Sequence, residues 1–284
     1  MDSIGGILLD VIKRSNDNIN VNEDDYERGG LLYCGKCHQP KQILFDAFPD
    51  KEFKVGVKCR CEIEREEQER KEKEAQETLR LIEHNKATSG LTLEQRGHTF
   101  LSAIENENNR KQIRYCKNYA NKFDDMFERS QGLLLFGPPG TGKSYLASCI
   151  ANVLLDKGKI IKTTSTISVV GKSSFYKDNE HEEYIKEITE PDLFIIDDLG
   201  AERNTDFALE RVHDLIEYRS LSGKPMIVTT NYSLQQMKSE TDIRKSRTFD
   251  RIFECCFPIP FTGGSFRKQK ANNTYTDIKK ILEG

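Results

Sequence analysis

Short runs rich in apolar residues recur in the second half of the chain. They lie at 133–136, 160–164, 193–197, 226–230 and 257–261. Each run has the length and composition of a buried strand, and the stretches between the runs are long enough for helices. After the first run, apolar residues repeat at helical spacing: Leu146, Ala147, Ile150, Ala151 and Leu154. This alternation predicts an α/β fold, in which helices cover both faces of a parallel sheet.

The chain before residue 132 has a different pattern. A short helix is predicted first, followed by a polar loop to residue 33, because four apolar residues share one side of that helix: Ile7, Leu8, Val11 and Ile12. The stretch "CEIEREEQERKEKEAQETLRLIEHNK" has almost no apolar residue before Leu79. Its mixed charges predict a solvated connecting helix, and an acidic partner-binding tail is the alternative. A mostly helical segment is predicted from about Leu93 to Phe127.

These changes of pattern divide the chain into three predicted parts. Residues 1–61 form an N-terminal module, residues 62–92 form a charged helical linker, and residues 93–284 form the α/β domain. A length of 284 residues agrees with about two compact domains joined by such a linker.

Charge and hydropathy narrow the class of protein. The chain has 43 basic and 46 acidic residues, so its formal net charge is −3. Any contact with nucleic acid therefore needs a local basic patch. No apolar run approaches the roughly 18 residues that span a bilayer, and the first residues lack the basic region of a signal peptide. We expect a cytoplasmic protein without a membrane partner.

Cysteine spacing predicts a metal site in the N-terminal module. Eight cysteines without an export signal indicate reduced thiols or a metal rather than disulfides. Four of them form two close pairs with the spacing of zinc ligands: Cys34, Cys37, Cys59 and Cys61. Gly35 permits the bend between the first pair, His38 is an alternative to one thiolate, and four unrelated free cysteines are the alternative to a zinc site. Cys116 and Cys149 lie on apolar helix faces, where we expect them in the core.

The segment "LLLFGPPGTGKSYLA" at 133–147 follows the pattern G-x-x-x-x-G-K-[ST]. Its glycines let backbone N–H groups converge on phosphate oxygens, and the next helix adds its positive end. Lys143 is predicted to reach the β- and γ-phosphates of a nucleotide, and the Ser144 hydroxyl is predicted to bind Mg²⁺. A glycine-rich turn before an ordinary helix is the alternative, which the strand–turn–helix context disfavours.

Two further apolar runs end in polar residues that suit phosphate chemistry. "LFIIDDLG" ends a strand with Asp197, placed to hold the hydration shell of Mg²⁺, and Asp198, placed to polarise the attacking water. A helix-capping pair of acids is the alternative. "KPMIVTTNYS" closes the next strand with Asn231, which is predicted to orient the water, although a simple turn residue is equally compatible.

Arginines after the fourth strand are candidates for stabilising charge on a γ-phosphate, and a neighbouring subunit often supplies such a group. "RKSRTFDRIFECC" provides Arg244, Arg247 and Arg251, and "GGSFRK" provides Arg267. Spacing alone does not choose among them, because a single arginine on a helix is usually a surface residue.

Taken in order, these motifs resemble those of the AAA+ ATPases. They are most similar to the replicative-helicase loaders of the DnaC/DnaI type, with their IstB-like and phage relatives, over about residues 95–270. The resemblance implies five catalytic residues: Lys143, Asp197, Asp198, Asn231 and Arg251, the last as an arginine finger with Arg247 as second choice. It implies that ATP is bound by Gly137, Pro138, Pro139, Gly140, Thr141, Gly142, Lys143, Ser144, Tyr145 and Arg267, and that Ser144 and Asp197 hold Mg²⁺.

The same resemblance implies partners. The cysteine module resembles the zinc-binding, helicase-contacting domain of the DnaI branch, and the family assembles through its ATP sites around single-stranded DNA. A local DNA contact is predicted in the insert 169–187, where Lys172, Phe175, Tyr176 and Lys177 combine charge with aromatic rings. A surface helix with its aromatic rings in the core is the alternative.

The expected function is therefore ATP-dependent loading of a DnaB-type hexameric helicase onto single-stranded DNA in a bacterial cell. An accessory ATPase that delivers a transposase to target DNA is the first alternative, because one fold serves both clients. A non-enzymatic adaptor is the second alternative, and the intact Lys143, Asp197 and Arg251 argue against it.

Overall fold

A computed structural model of the chain describes residues 2–48, 51–176 and 178–283. The chain divides into two compact units, Met1–Thr78 and Leu79–Gly284. The boundary between them falls inside the segment 62–92, whose role as a linker stays a prediction. Among the described helices, none combines the length and the apolar character that crossing a bilayer requires.

Before the long helix that begins at Arg60, the N-terminal unit contains one helix and two hairpins among its described residues. These elements are α1 (Asp2–Asp17), β1 (Tyr26–Arg28), β2 (Leu31–Tyr33), β3 (Gln42–Phe48) and β4 (Lys51–Gly56). Strands β1 and β2 pair antiparallel, as do β3 and β4. The prediction of a polar loop to residue 33 was therefore wrong over the first hairpin, because its three-residue strands are too short to show an alternating pattern.

The charged segment forms the long helix α2 (Arg60–Thr88). Every side chain from Ile63 to Leu81 is exposed, in agreement with the predicted solvated helix. Ion pairs between positions i and i+4 support it: Arg60–Glu64, Arg65–Glu69 and Arg70–Glu74. A helix with no apolar stripe depends on such pairs, since it buries little surface of its own.

A five-stranded parallel sheet organises the second unit. Its strands are β5 (Gly132–Phe136), β6 (Ile161–Ser165), β7 (Leu193–Leu199), β8 (Met226–Thr230) and β9 (Cys256–Pro260). They lie in the order β6-β7-β8-β5-β9, with every neighbouring pair parallel. The five predicted strands and the α/β fold class are confirmed, and β9 is one edge of the sheet.

Helices flank this sheet on both faces. They are α3 (Leu93–Arg96), α4 (Arg110–Asn121), α5 (Phe123–Glu128), α6 (Lys143–Asp156), α7 (Thr166–Ser173), α8 (Asp178–Thr189), α9 (Asp206–Leu221), α10 (Leu234–Lys238), α11 (Ile243–Cys255) and α12 (Phe266–Glu283). The prediction of a mostly helical segment from 93 to 127 holds only in part, because residues 97–109 form no helix.

Alternate residues of the strands face two separate cores. Leu133 and Leu135 pack with helices α4 and α6, whereas Leu134 packs with α8, α9 and α11 on the other face. Cys116 and Cys149 are fully buried in the first core, as predicted. The period of two along β5 is what directs its side chains to both cores.

Arg219 of α9 is buried beneath the amino ends of two strands. Its guanidinium donates hydrogen bonds to the carbonyls of Thr189, Pro191 and Asp192 before β7, and to the carbonyl of Pro225 before β8. Burial lowers the pKa of Arg219 to about 10. One side chain thus holds together the two segments that lead into β7 and β8.

Candidate functional site

The glycine-rich turn lies between β5 and α6, where the sequence predicted it. Gly137, Gly140 and Gly142 have φ values of 135°, 81° and 96°. A Cβ added at Gly140 would lie 2.1 Å from Ser265 Oγ, and one at Gly137 would lie 2.1 Å from the carbonyl oxygen of Phe261. Both positions therefore require glycine, for the left-handed backbone and for the close approach of the neighbouring chain.

Lys143 is the first residue of α6 and is only 5% exposed. Its Nζ donates to the carbonyl oxygens of Gly137 at 2.7 Å and Pro138 at 2.8 Å, and to Asn231 Oδ1 at 2.9 Å. Burial lowers the pKa of Lys143, although the nearby carboxylates of Asp198 and Asp197 oppose this effect. The lysine thus bridges the glycine-rich turn and the end of β8.

The two acids lie near the carboxyl end of β7, beside Thr229. Thr229 Oγ1 donates to Asp197 Oδ1 at 2.6 Å and accepts the backbone N–H of Asp198 at 2.9 Å. The pairing of β7 with β8 shifts register between Ile196 and Leu199. Asp198 has φ 55°, a left-handed conformation that Asp adopts more readily than most residues. This irregular backbone gives the two carboxyl groups different surroundings.

Asp198 has a perturbed acidity. Burial and the neighbouring Asp197 raise the pKa of Asp198, while the cations Lys143 and Arg267 act in the opposite direction. The alternative role of a helix cap is wrong, because Thr205 caps α9 through its side chain. Thr229, which forms hydrogen bonds to both acids, was not predicted as a site residue. A hydroxyl at the end of the strand next to the acids could have indicated this role.

A cavity of about 410 Å³ opens next to the glycine-rich turn. Eight predicted site residues line it: Gly140, Thr141, Gly142, Lys143, Ser144, Tyr145, Asp197 and Arg267. Six others do not line it: Gly137, Pro138, Pro139, Asp198, Asn231 and Arg251. Lys143 nevertheless contacts Gly137, Pro138 and Asn231 directly, so these residues support the cavity from behind.

The opposite wall of the cavity comes from the segment 92–113, which the sequence did not predict as part of the site. The rings of His98 and Tyr145 lie 4.3 Å apart at 34°. His98 Nδ1 is buried and has no hydrogen-bond partner among the described residues. Tyr145 donates its hydroxyl to the carbonyl of Thr99 at 3.0 Å. Aromatic rings in the wall of a cavity suit a planar heteroaromatic ligand such as a nucleotide base.

The C-terminal helix contributes to the same cavity. The N–H of Phe266 donates to the carbonyl of Gly140 at 2.9 Å, and Arg267 follows at the start of α12. The structure therefore brings Lys143, Asp197 and Arg267 to one cavity from three distant parts of the sequence.

Arg251 and Arg247 lie elsewhere, on α11. Neither lines the cavity at the glycine-rich turn. Arg251 has a side chain 39% exposed and pairs with Glu217 at 3.3 Å and Glu254 at 3.1 Å. A separate charged recess is lined by Arg251, Glu217 and Glu254 together with Arg247. Arg244, the third candidate, is held by Asp206 and Asp242.

The four predicted zinc ligands meet in the N-terminal unit. The Sγ atoms of Cys34, Cys37, Cys59 and Cys61 all lie within 4.8 Å of one another. The backbone N–H groups of Cys61 and Gln39 lower the pKa of Cys37 to about 6, which favours its thiolate. His38 is not part of the cluster, contrary to the alternative considered for it, because its Nδ1 lies 3.3 Å from the Tyr26 hydroxyl.

A buried ion pair supports the first cysteine turn. Lys41 Nζ pairs with Asp25, whose carboxylate also accepts the N–H of Gly35 at 3.0 Å. A Cβ at Gly35 would lie 2.1 Å from the carbonyl of Asp24, so the turn requires glycine as predicted. Asp25 and Lys41 were missed, since 16 positions separate them and no pattern links them.

The insert between β6 and β7 forms helices α7 and α8. Phe175 is 87% exposed and Tyr176 is also exposed, so the alternative that these rings lie in the core is wrong. The rings of Tyr176 and Tyr184 lie 5.3 Å apart, and Lys172 Nζ lies 5.9 Å from the Tyr184 ring centroid. Lys177, the remaining residue of this prediction, lies outside the described residues.

Fold and site together define an ATP-binding protein of the AAA+ class, built on a parallel sheet with a phosphate-binding turn after β5. More particularly, the chain belongs to the family of IstB-like ATP binding proteins, whose model matches residues 55–274.

Curated relatives match over part of their length. Uncharacterized protein YdaV of Escherichia coli K12 is 27% identical over 151 residues, which are 52% of this chain and 58% of YdaV. Replicative helicase loader DnaC of the same strain is 28% identical over 152 residues, which are 52% of this chain and 60% of DnaC. A putative ATP-binding protein in an insertion sequence of Mycobacterium tuberculosis is 23% identical over 146 residues, 50% of this chain and 58% of that protein. The matched region thus spans less than two thirds of these relatives.

Solved structures share the fold. The crystal structure of DnaI has a TM-score of 0.52 at 23% identity, covering 61% of this chain and 95% of that chain. The crystal structure of the DnaC helicase loader has a TM-score of 0.50 at 22% identity, covering 60% of this chain and all of that chain (100%).

Proposed function

We propose that the chain hydrolyses ATP in order to load a ring-shaped replicative helicase of the DnaB type onto single-stranded DNA. The observation that carries the ATPase part is the single cavity lined by Lys143, Asp197 and Arg267. A lysine, a carboxylate and a guanidinium around a glycine-rich turn form the arrangement that holds and polarises a nucleoside triphosphate.

Phosphate binding is proposed for the turn and its lysine. Lys143 exchanges its bonds to Gly137, Pro138 and Asn231 for the β- and γ-phosphate oxygens. Ser144 and Asp197 are the proposed Mg²⁺ ligands, because a hydroxyl and a carboxylate face the same cavity and hard oxygen ligands suit this ion. Bound Mg²⁺ would neutralise charge on the phosphate oxygens. The wall formed by His98 and Tyr145 is the proposed position of the base.

Water activation is proposed for Asp198 and Asn231, which do not line the cavity but adjoin its residues Asp197 and Lys143. Asp198 in its ionised form polarises the attacking water, and Asn231 orients that water once Lys143 has turned to phosphate. Thr229 keeps both acids in place through its bonds to Asp197 and to the backbone of Asp198. Arg267 supplies positive charge from the start of α12.

Arg251 is the proposed arginine finger, acting on the ATP of a neighbouring subunit. Arg251 does not line the cavity of its own chain, and its side chain is partly exposed. Both observations support a role at the ATP site of a neighbouring subunit. Glu217 and Glu254 hold the guanidinium in the isolated chain and would release it to a more strongly charged phosphate. Arg247 in the same recess is the second choice. The chain would then assemble through its ATP sites.

The cysteine cluster is a proposed zinc site. Four sulfur ligands at mutual distances within 4.8 Å match the donor set of a closed, tetrahedral structural site. Bound Zn²⁺ would hold the two cysteine turns together in a unit with little apolar core. We propose that this unit contacts the helicase, and that exposed Phe175 and Tyr176 contact single-stranded DNA.

The choice of client is supported by the relatives. The match to proteins named replicative helicase loader DnaC favours a helicase as the client. We propose on the same basis that the chain acts in the bacterial cytoplasm. The match to a protein of an insertion sequence supports the alternative, delivery of a transposase.

A loading assay tests the proposal. The substrate is a closed single-stranded DNA circle with an annealed labelled strand, which a ring helicase cannot thread. Purified replicative helicase of the host should release the strand only with this protein and ATP. Lys143→Ala is the matched control. Failure to load, together with ATP-dependent binding of a transposase from the same host, would establish the alternative.

A further inference from the structure

Helix α4 carries a surface that the proposed function leaves unused. Lys111, Tyr115, Asn118 and Lys122 follow one another at intervals of four, three and four residues. Because a helix turns once every 3.6 residues, the first three positions form one stripe along α4, and Lys122, the residue that follows the helix, lines the same recess as Tyr115 and Asn118. We call the stripe, with Arg114, Lys122 and Phe257 beside it, the α4 surface.

A recess of about 480 Å³ lies along this stripe, next to the edge strand β9. Tyr115 and Phe257 line it, with their ring centroids 6.4 Å apart at 76°. Phe257 is 53% exposed, an unusual exposure for a phenylalanine ring. No carboxylate is among the residues that line the recess.

Among the residues that the structure describes, the cations of the α4 surface have no acidic partners in an ion pair. Lys111 Nζ lies 5.5 Å and Arg114 Cζ 6.0 Å from the ring centroid of Tyr115. Within the described residues, neither of them nor Lys122 makes an ion pair. Arg110, on the same helix, does so with Glu105 at 2.6 Å. The surface therefore presents positive charge that the fold does not neutralise.

The free edge of β9 excludes one class of partner. Phe261 donates its N–H to Phe136 of β5, and alternate N–H groups of a strand point in the same direction. Pro258 and Pro260 therefore occupy the positions whose N–H groups would point away from the sheet. Since proline has no N–H, an extended peptide cannot add itself as a further strand here.

The recess of the α4 surface lies toward the other end of the sheet from the glycine-rich turn, although α4 begins beside the nucleotide cavity, whose wall includes Ile113. The recess is lined by Gly132 and Phe257, at the amino ends of β5 and β9, whereas the glycine-rich turn follows the carboxyl end of β5. No residue that lines the recess is among the residues that line the nucleotide cavity.

We propose that the α4 surface is a second binding site for single-stranded nucleic acid. Lys111, Arg114 and Lys122 contact the phosphates, and bases stack on Tyr115 and Phe257. Unpaired cations beside one exposed ring, Phe257, and one half-buried ring, Tyr115, are a combination that suits single strands with little sequence preference. The site is independent of the insert at Phe175 and Tyr176.

Fluorescence anisotropy of the full chain without nucleotide tests this, with a labelled oligothymidylate of about 15 nucleotides. Phe257→Ala should weaken binding about 5- to 100-fold, the range for loss of one stacked base. Lys111→Glu should weaken it and reduce the salt dependence, by about 0.7 in log–log slope for each lost phosphate contact. Lys117→Glu is the matched control, since it reverses the same charge at an exposed position elsewhere on α4.

Ultraviolet crosslinking provides a second readout, in which attached nucleotide should map to peptides containing Tyr115 or Phe257. Equal weakening by Lys111→Glu and Lys117→Glu would show a general charge effect and overturn the proposal. So would loss of binding with Phe175→Ala but not with Phe257→Ala, which would assign all binding to the insert. Competition by polyglutamate as strong as that by unlabelled oligothymidylate would replace nucleic acid with an acidic protein partner.

Discussion

Lys143 Nζ and Asn231 Oδ1 are joined by a hydrogen bond of 2.9 Å across 88 positions of sequence. The bond connects the glycine-rich turn to the end of β8, and two carbonyl oxygens of the turn complete the surroundings of the ammonium group. A phosphate that attracts this lysine must therefore also free the amide of Asn231. Nucleotide binding and the position of the amide are coupled through one side chain.

Lys143→Ala is expected to abolish ATP hydrolysis while the protein still folds. The substitution removes the phosphate contact, and the bonds it breaks, to the turn and to Asn231, belong to neither core. Steady-state phosphate release and circular dichroism would check the two parts of this prediction. Lys159→Ala is a suitable control, since that ammonium group pairs with Asp124 at the surface. Unchanged turnover in Lys143→Ala would remove the glycine-rich turn from the mechanism.

The acid limb of the pH–rate profile is expected to report on Asp198. Its pKa is raised, and only the ionised form can polarise water, so the rate should fall as the pH drops through that pKa. Arg267 lowers the pKa of Asp198, and Arg267→Met should therefore move the limb to higher pH. The measurement is kcat at saturating ATP across the acid and neutral range. A limb that stays in place in Arg267→Met would assign it to another group.

Arg251→Ala is expected to bind ATP normally and to lose hydrolysis on the order of 10³-fold or more, the effect of removing an arginine finger. Mixing gives the decisive result. Arg251→Ala keeps an intact cavity, and Lys143→Ala keeps an intact finger, so the mixture should regain activity if the finger acts across an interface. Arg244→Ala is the control on the same helix, because Asp206 and Asp242 hold that arginine. If both variants are folded and associate but their mixture has no activity, the whole site lies within one chain.

One Zn²⁺ per chain is expected, bound by Cys34, Cys37, Cys59 and Cys61. Elemental analysis of anaerobically purified protein measures this directly, and Cys59→Ser should lower the zinc content. Cys255→Ser, which changes a cysteine outside the cluster, should not. Chelation should unfold the N-terminal unit and leave ATP binding intact. Protein that contains no zinc after anaerobic purification would contradict the assignment.

Much of the second unit could be predicted because its central strands β5, β7 and β8 are buried along most of their length and are therefore mostly apolar. The edge strands β6 and β9 are only partly buried, and their positions were nevertheless predicted from shorter apolar stretches. The structure brings Lys143 and Asp197 to one cavity because the turn and the strand ends of a parallel sheet share one edge, and Arg267, which only the family resemblance implied, reaches the same cavity from α12.

Other parts had no local signal. Residues 97–109 form the cavity wall without regular structure, and their polar composition does not distinguish His98 from any other loop residue. The ion pair of Asp25 and Lys41 depends on the path of the chain between them. Each strand of the hairpin β1–β2 is three residues long, too short to show a pattern of burial.

Arg219 gives the sheet a second sensitive point. Its hydrogen bonds join the segments that precede β7 and β8. Asp197 lies near the carboxyl end of β7, and Asn231 follows the carboxyl end of β8. If the amino ends of the two strands separated, the Asp197 carboxylate and the Asn231 amide would move apart although neither residue had been changed. A survey of inactivating substitutions would therefore rank Arg219 beside the residues that touch ATP. Arg219→Lys would keep the positive charge but lose the planar set of N–H donors that bonds to several carbonyl oxygens at once. A map of mutational tolerance for this chain should show two intolerant centres, one at each end of the strands.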